Sequence, residues 1–262
     1  QAPPSGGAAC RVLSWNIDGI DEHGPKDTML RALAVAEHIA ATQPVAVLLQ
    51  EVIPPQLDIF AAPQTLGGVY NIVCAENPRM PYYCAMLLHK RRTKVLGAKT
   101  RHFAMSKMGR HVLSVDVVVD GQEAAPLTLL TTHLESTKTE KEERVRQLAE
   151  VLEVMAESQR SKPRTLILAG DLNARDDEVL AARRKARVLS PAGVDSIVDA
   201  WTSCGSPKAH EFTWDTKTNN NLGVTYAARC RFDRFLYTAP GVTGGGGARG
   251  AAAWKASSFE LV

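Results

Sequence analysis

An α/β fold follows from two features of this 262-residue chain. Short apolar runs recur along it, each leading to a polar residue, and the strands they imply cluster between helical stretches instead of alternating with them one for one. The clearest run is Thr165-Leu166-Ile167-Leu168-Ala169-Gly170-Asp171-Leu172-Asn173. Its apolar middle suits a strand buried on both faces, and Gly170 lets the chain turn while its backbone comes close to another group. Asp171 and Asn173 then stand at a strand end, held by the core beneath them. An ordinary Asp-x-Asn turn is the bland alternative.

Taken in order, Arg11 to Asn16 is the first strand, and Ile17-Asp18-Gly19-Ile20 leads into a loop. Asp27 caps a helix whose apolar positions Leu30, Leu33, Ala36 and Ala40 keep helical spacing, closed by Pro44. Val45 to Glu51 is a strand that Pro54-Pro55 stops, which fixes Glu51 at a rigid turn. Tyr82 to Leu88 is the next strand, and the basic Lys90-Arg91-Arg92 with Lys94 reads as a solvated hairpin leading to Val95. Val112 to Val119 is rich in β-branched residues. Asp120-Gly121 marks a turn after it, and the run from Leu127 to His133 is expected to pair with it antiparallel.

Thr139 with Glu142 forms a capping-box pattern ahead of a helix whose core stripe is Val145, Leu148, Leu152 and Met155. Beyond the Thr165 strand, Asp176 to Arg187 reads as a charged, Ala-rich helix and Asp195 to Trp201 as a short apolar piece. Arg231 to Tyr237 is a strand with Asp233 inside it, and Gly244 to Gly247 is a flexible run. The sequence holds no internal repeat.

The length and a 45% hydrophobic content suit one large domain, taken as residues 11–262 after a disordered segment at 1–10. A net charge of +3 permits a polyanionic partner without demanding one. Five cysteines without a Cys-x-x-Cys pair argue against a disulfide framework and for a reducing compartment, cytosol or nucleus. No run approaches the roughly 18 apolar residues of a membrane span, and no signal pattern opens the chain. Its start at Gln1 reads as a fragment of something longer.

The polar strand ends, Asn16, Glu51, His133, Asp171 with Asn173, and Asp233, form one repertoire. Carboxylates, amides and a histidine without a cysteine cluster suit a hard cation such as Mg²⁺ and a phosphate ester. For His133 the plainer reading is a satisfied histidine closing a strand.

In order, Trp15-Asn16, Leu49-Gln50-Glu51, Thr132-His133-Leu134, Gly170-Asp171-Leu172-Asn173 and Arg231-Phe232-Asp233 resemble the strand-end motifs of the endonuclease/exonuclease/phosphatase superfamily. Leu13 to Gly19, Leu48 to Pro55, His133 to Thr137 and Thr213 to Thr216 resemble its 5′-tyrosyl-DNA phosphodiesterase branch, and the similarity runs from about Val12 to Tyr237. The resemblance implies a four-layer α/β sandwich of deoxyribonuclease-I-like type, with two mostly antiparallel sheets face to face, helices outside and the site at one end. Residues 11–262 become its catalytic domain. The implied activity is Mg²⁺-dependent hydrolysis of the bond between a tyrosine and a DNA 5′-phosphate, with Mn²⁺ as the alternative cation. It implies a role in repairing topoisomerase II-linked breaks, and a nuclear location with the cytoplasm as a second one.

Carried over residue by residue, Glu51 resembles the metal ligand, joined by Asp171, and Asp171 resembles the group that orients and deprotonates the attacking water. Asn16 and Asn173 resemble the amides that hold water, phosphate and carboxylates, and His133 the donor to a phosphate oxygen. Tyr82 resembles a tyrosine near the leaving group and Arg175 a phosphate-contacting arginine. Trp214, Leu222 and Phe232 resemble the lining of a groove for a single-stranded DNA end. A solvated Arg175 and a core Phe232 are the plainer alternatives.

The pattern departs in one place. The superfamily's last motif, Ser-Asp-His on a final strand, is absent, so Asp233 keeps the holder's place without the held histidine. One lost transition-state donor costs on the order of 10² to 10³ in rate. The expectation is that Val262 is a truncation point and the last strand is missing. Two rival functions follow. One is another phosphoesterase of the same fold, an abasic-site endonuclease or an inositol polyphosphate phosphatase, faintly suggested by Arg229-Cys230-Arg231-Phe232-Asp233-Arg234. The other is a non-catalytic remnant that binds DNA ends.

Overall fold

The computed structural model describes residues 9–20, 25–161, 164–218, 226–238 and 254–261. Leu222, the glycine run at 244–247, Val262 and most of the segment expected to be disordered lie outside them. The first half of the chain runs β1 (Val12–Asn16), α1 (Pro25–Thr42), β2 (Ala46–Val52), α2 (Pro54–Ala61), β3 (Tyr70–Cys74) and β4 (Tyr83–His89). The second opens with β5 (Thr93–His102), β6 (His111–Val119), β7 (Leu127–Thr132), α3 (Lys141–Ser161), β8 (Thr165–Asp171) and α4 (Asp176–Arg187). It closes with α5 (Pro191–Asp195), β9 (Ile197–Asp199), α6 (Ala200–Ser203), the short β10 (Trp214–Asp215) and β11 (Arg229–Cys230), and β12 (Asp233–Thr238).

A four-stranded sheet of order β1-β2-β4-β3 faces a six-stranded sheet of order β5-β6-β7-β8-β12-β9. Each contains one parallel pair, β1 with β2 and β7 with β8, among antiparallel ones. The period-2 alternation of strand side chains assigns residues to layers. Leu48 enters the core between the sheets, with Met86, Leu113 and Leu129. Its neighbours Val47 and Leu49 face Val35, Ile39 and Phe60 of α1 and α2. On the far side Leu130 and Leu168 meet Leu148, Leu152 and Met155 of α3. Three cores between four layers are the expected sandwich. Among the described residues β12 is the last strand, and residues 254–261 follow it without regular structure.

Several local expectations are corrected. The buried face of α1 is Thr28, Ala32, Val35, Ala36 and Ile39, while Leu30 and Leu33 are 55% and 42% exposed. Alanines on both sides of this helix leave its apolar face ambiguous, and the bulk of Val35 and Ile39 decides it. Asp27 lies inside the first turn, because the helix begins at Pro25. The basic Lys90-Arg91-Arg92 stretch is a crossover from β4 to β5 in the other sheet, not a hairpin, and Arg92 pairs with Asp120 at 2.7 Å. Pro54 and Pro55 open α2 as well as ending β2, because proline suits a first helical turn. Thr139 precedes α3, and its hydroxyl meets that of Thr137.

Candidate active site

β1 and β2 run parallel with Asn16 opposite Gln50, so Glu51 follows at the same rim. Glu51 has φ +57° beside a bulge in β2, a backbone setting uncommon outside glycine. The loop after β1 presses on it. A Cβ on Gly19 would lie 2.0 Å from the Glu51 carbonyl oxygen, so only glycine fits there. β7 and β8 are parallel as well, which brings His133 and Asp171 out at that rim, and Leu134 N–H donates to the Asp171 carbonyl at 3.0 Å. Gly170 makes the close approach expected of it, though within the strand rather than at a turn: a Cβ there would lie 2.1 Å from the Thr132 carbonyl oxygen.

Asp233 arrives differently from the expectation. β12 is antiparallel to β8 and pairs Asp233 with Asp171, so this carboxylate reaches the rim from the start of its strand, not from within it. The Thr213 hydroxyl accepts from Phe232 N and Asp233 N at 3.1 and 3.0 Å and fixes that start.

The side chains then interlock. Asn16 Nδ2 donates to Asp171 Oδ2 at 3.0 Å, and Asn173 N–H donates to Asp171 Oδ1 at 2.9 Å. His133 lies between the carboxylates, with Nδ1 3.4 Å from Glu51 and Nε2 3.6 Å from Asp171. Arg110, which the sequence reading missed, places Nη1 2.8 Å from His133 Nδ1. A guanidinium only donates, so Nδ1 accepts and the ring proton sits on Nε2. With its oxygen turned to the ring, the Asn173 amide 2.8 Å from Nε2 accepts this proton, at the cost of the 3.3 Å bond that the same atom position makes to the Leu134 carbonyl. Arg110 also stands 5.4 Å from the Tyr82 ring centroid, and the Tyr82 hydroxyl donates to the Met108 carbonyl at 3.3 Å.

Burial raises the Glu51 pKa to about 7, with Asp18 and Asp171 adding repulsion against the pull of Arg110. Asp171 is raised by burial, partly offset by its bonds from Asn16 and Asn173. Burial and the nearby Asp171 raise Asp233 too. His133 is held well below its usual range by burial and by Arg110, so it is neutral at physiological pH. Among the described residues no three His, Cys, Asp or Glu side chains gather as a metal cage. Glu51 and Asp171 nevertheless stand as two repelling carboxylates in a largely buried setting, with Arg110 pulling on both. Two carboxylates beside amides suit Mg²⁺, which keeps several waters, better than a cation needing a full protein cage.

A cavity of about 550 Å³ opens over this centre, lined by Asn16, Glu51, Asp171, Asn173, Trp214, Phe232 and Asp233 among others. The Trp214 and Phe232 rings stand 5.8 Å apart, both half-buried. His133 and Tyr82 support the centre from beneath and beside it. Arg175 does not join: it is exposed at the N-cap of α4 and does not line the cavity. One signal could have revealed Arg110. It sits just before β6, and a strand antiparallel to β7 begins at the rim where β7 ends.

Known proteins resemble this chain over most of its length. The model of the endonuclease/exonuclease/phosphatase family matches residues 13–253. The chain is 37% identical to human tyrosyl-DNA phosphodiesterase 2 over 234 residues, which is 89% of this chain and 59% of that protein. It therefore spans less than two thirds of this curated relative. The crystal structure of C. elegans TDP2 superposes with a TM-score of 0.75 at 31% identity, covering 88% of this chain and 65% of that one. D. rerio TDP2 complexed with single strand DNA product gives a TM-score of 0.73 at 33% identity, covering 87% and 82%.

Proposed function

Because the chain belongs to the endonuclease/exonuclease/phosphatase family, we propose that it is a divalent-metal-dependent phosphodiesterase. Its substrate is the bond between a tyrosine and a DNA 5′-phosphate, and its product is a free 5′-phosphate end. The observation that carries this reading is the convergence of Asn16, Glu51, His133, Asp171 and Asn173 under a cavity walled by Trp214 and Phe232.

Glu51, with Asp171, would hold Mg²⁺, or Mn²⁺ in its place. When bound, the cation draws negative charge from the phosphate and its leaving oxygen. Asp171 accepts a proton from the attacking water, and its raised pKa makes it a stronger acceptor than an ordinary carboxylate. Asn16 and Asn173 keep both of its oxygens oriented. His133 lies beneath the cavity with Nε2–H on the Asn173 oxygen, so its part is to hold Asn173 and the two carboxylates in place rather than to reach the phosphate. Trp214 and Phe232 stack with bases of a single-stranded end without reading sequence. In the cell the reading implies topoisomerase II peptide adducts as substrates and the nucleus as the site of action.

The test is cleavage of a single-stranded oligonucleotide bearing a 5′-phosphotyrosine, with Mg²⁺, Mn²⁺ or EDTA. Release of a 5′-phosphate with the metals and not with EDTA is expected. Turnover of a soluble inositol phosphate with none of the tyrosyl oligonucleotide would overturn the substrate assignment, and DNA-end binding without turnover of either would overturn the enzyme.

A further inference from the structure

We propose that Glu135 is a positioning residue that holds the loop 106–110 so that Arg110 meets His133, an inference that deepens the phosphodiesterase reading and rests on it. Glu135 follows the His133 strand end by two positions, and its side chain is fully buried. Its Oε1 accepts from two successive backbone donors, Lys107 N–H at 2.7 Å and Met108 N–H at 3.0 Å. Its Oε2 accepts from the Ser106 hydroxyl at 3.0 Å and Gln147 Nε2 at 3.1 Å. These four donors are neutral. The Lys107 ammonium turns away to Glu140.

A buried carboxylate is tolerated when fixed donors replace its water, and two adjacent N–H groups aimed at one oxygen make a small anion nest. The carboxylate is itself anchored to α3. Gln147 Oε1 accepts from Glu135 N–H at 3.0 Å, and Arg144 donates to the Glu135 carbonyl at 3.0 Å while gripping Glu178 with two bonds. Helix, carboxylate and loop form one rigid chain of contacts.

Met108 and Arg110, unlike Lys107, turn toward the centre. The Met108 carbonyl receives the Tyr82 hydroxyl, and Met108 Sδ receives the Ser136 hydroxyl at 3.2 Å. The Ser106 oxygen also accepts from Arg110 N–H at 2.7 Å. The Arg110 side chain has few strong partners of its own: Nε is buried without one, and beyond the His133 bond the guanidinium meets Met108 Sδ and the Tyr82 ring. Released from Glu135, the loop would carry Arg110 off His133 Nδ1, and the ring would lose the contact that keeps its proton on Nε2.

The experiment uses chain labelled with ¹³C-methyl methionine, the Met108 signal being assigned from Met108→Leu, alongside turnover of the 5′-phosphotyrosyl oligonucleotide. For folded Glu135→Ala the Met108 methyl is expected at the position of a mobile methionine, with kcat reduced at least tenfold and KM nearly unchanged. Glu135→Gln, whose one oxygen still accepts both N–H groups while its NH2 faces the Gln147 amide donor, is expected to restore the Met108 position and part of kcat. Should Glu135→Ala not fold, Ser106→Ala carries the same two readings with a smaller loss, about threefold in kcat. An unmoved Met108 signal, or a moved one with kcat unchanged, overturns the proposal. A wild-type chain without turnover sinks the reading of function instead, and the Met108 signal then decides by itself whether Glu135 holds the loop.

Discussion

Asn16 donates to Asp171 across 155 positions of sequence, and this one 3.0 Å bond ties the edge strand of the four-stranded sheet to β8 in the other. The Asn16 oxygen is itself fixed by Asp18 N–H at 3.0 Å. The amide is therefore held at both ends, and Asp171 is oriented at the seam between the sheets rather than by its own strand alone.

Replacing Asn16 tests that seam. Asn16→Ala is expected to lower kcat by about 10²-fold, the lower end of what a positioned general base contributes. Asn16→Asp should do worse, because it sets a second carboxylate beside Asp171 and pushes both toward the protonated form. Initial rates at saturating substrate measure both. Wild-type rates for Asn16→Ala would remove the amide from the mechanism.

Gly170→Ala is a test of packing. The new methyl would meet the Thr132 carbonyl, which is backbone inside β7 and cannot step aside. The expected loss is about 3 kcal/mol or more, at the upper end for overpacking. Chemical denaturation reads it directly, and a change under about 0.5 kcal/mol, the range of a surface substitution, would contradict the register of β7 against β8.

The carboxylates predict a pH dependence. Glu51 is raised from an ordinary 4.5 to about 7, so across that window the folded chain keeps a proton that the unfolded chain has lost. Stability without metal therefore falls as pH rises, by up to about 1.4 kcal/mol per pH unit for one group. Asp171 and Asp233, raised likewise, act in the same direction. A cation requires the ionised forms, so the gap in Tm between Mg²⁺ and EDTA should widen from pH 5 to 7.5. A gap that stays constant would count against Glu51 and Asp171 as ligands.

Trp214 is expected to act on binding. Trp214→Ala should weaken a single-stranded oligonucleotide, measured by fluorescence anisotropy in EDTA, by about 1 to 3 kcal/mol, or roughly 5- to 150-fold. Unaltered affinity would return Trp214 and its neighbour Phe232 to a role in packing.

The sequence by itself determined most of the strands and the polar residues at the ends of β1, β2, β7 and β8, while β3 went unread. β8, β6 and α4 lie where local pattern puts them, and Asn16, Glu51, His133, Asp171 and Asn173 were legible because an apolar run ending in a polar residue is a short-range signal. The stripe Leu148, Leu152 and Met155 was legible for the same reason. Only the tertiary structure decided which ends share a rim. β12 runs against β8, so Asp233 serves from a strand start. The antiparallel pairing of β6 with β7 was legible, and the structure adds that Arg110, the residue before β6, reaches His133. The same holds for α1, whose buried face was chosen by what packs on it, and for the basic crossover at Lys90. Periodicity states which side of an element is apolar. Where strands distant in sequence pair, as β8 and β12 do, the direction is set by partners that no window of neighbouring residues contains.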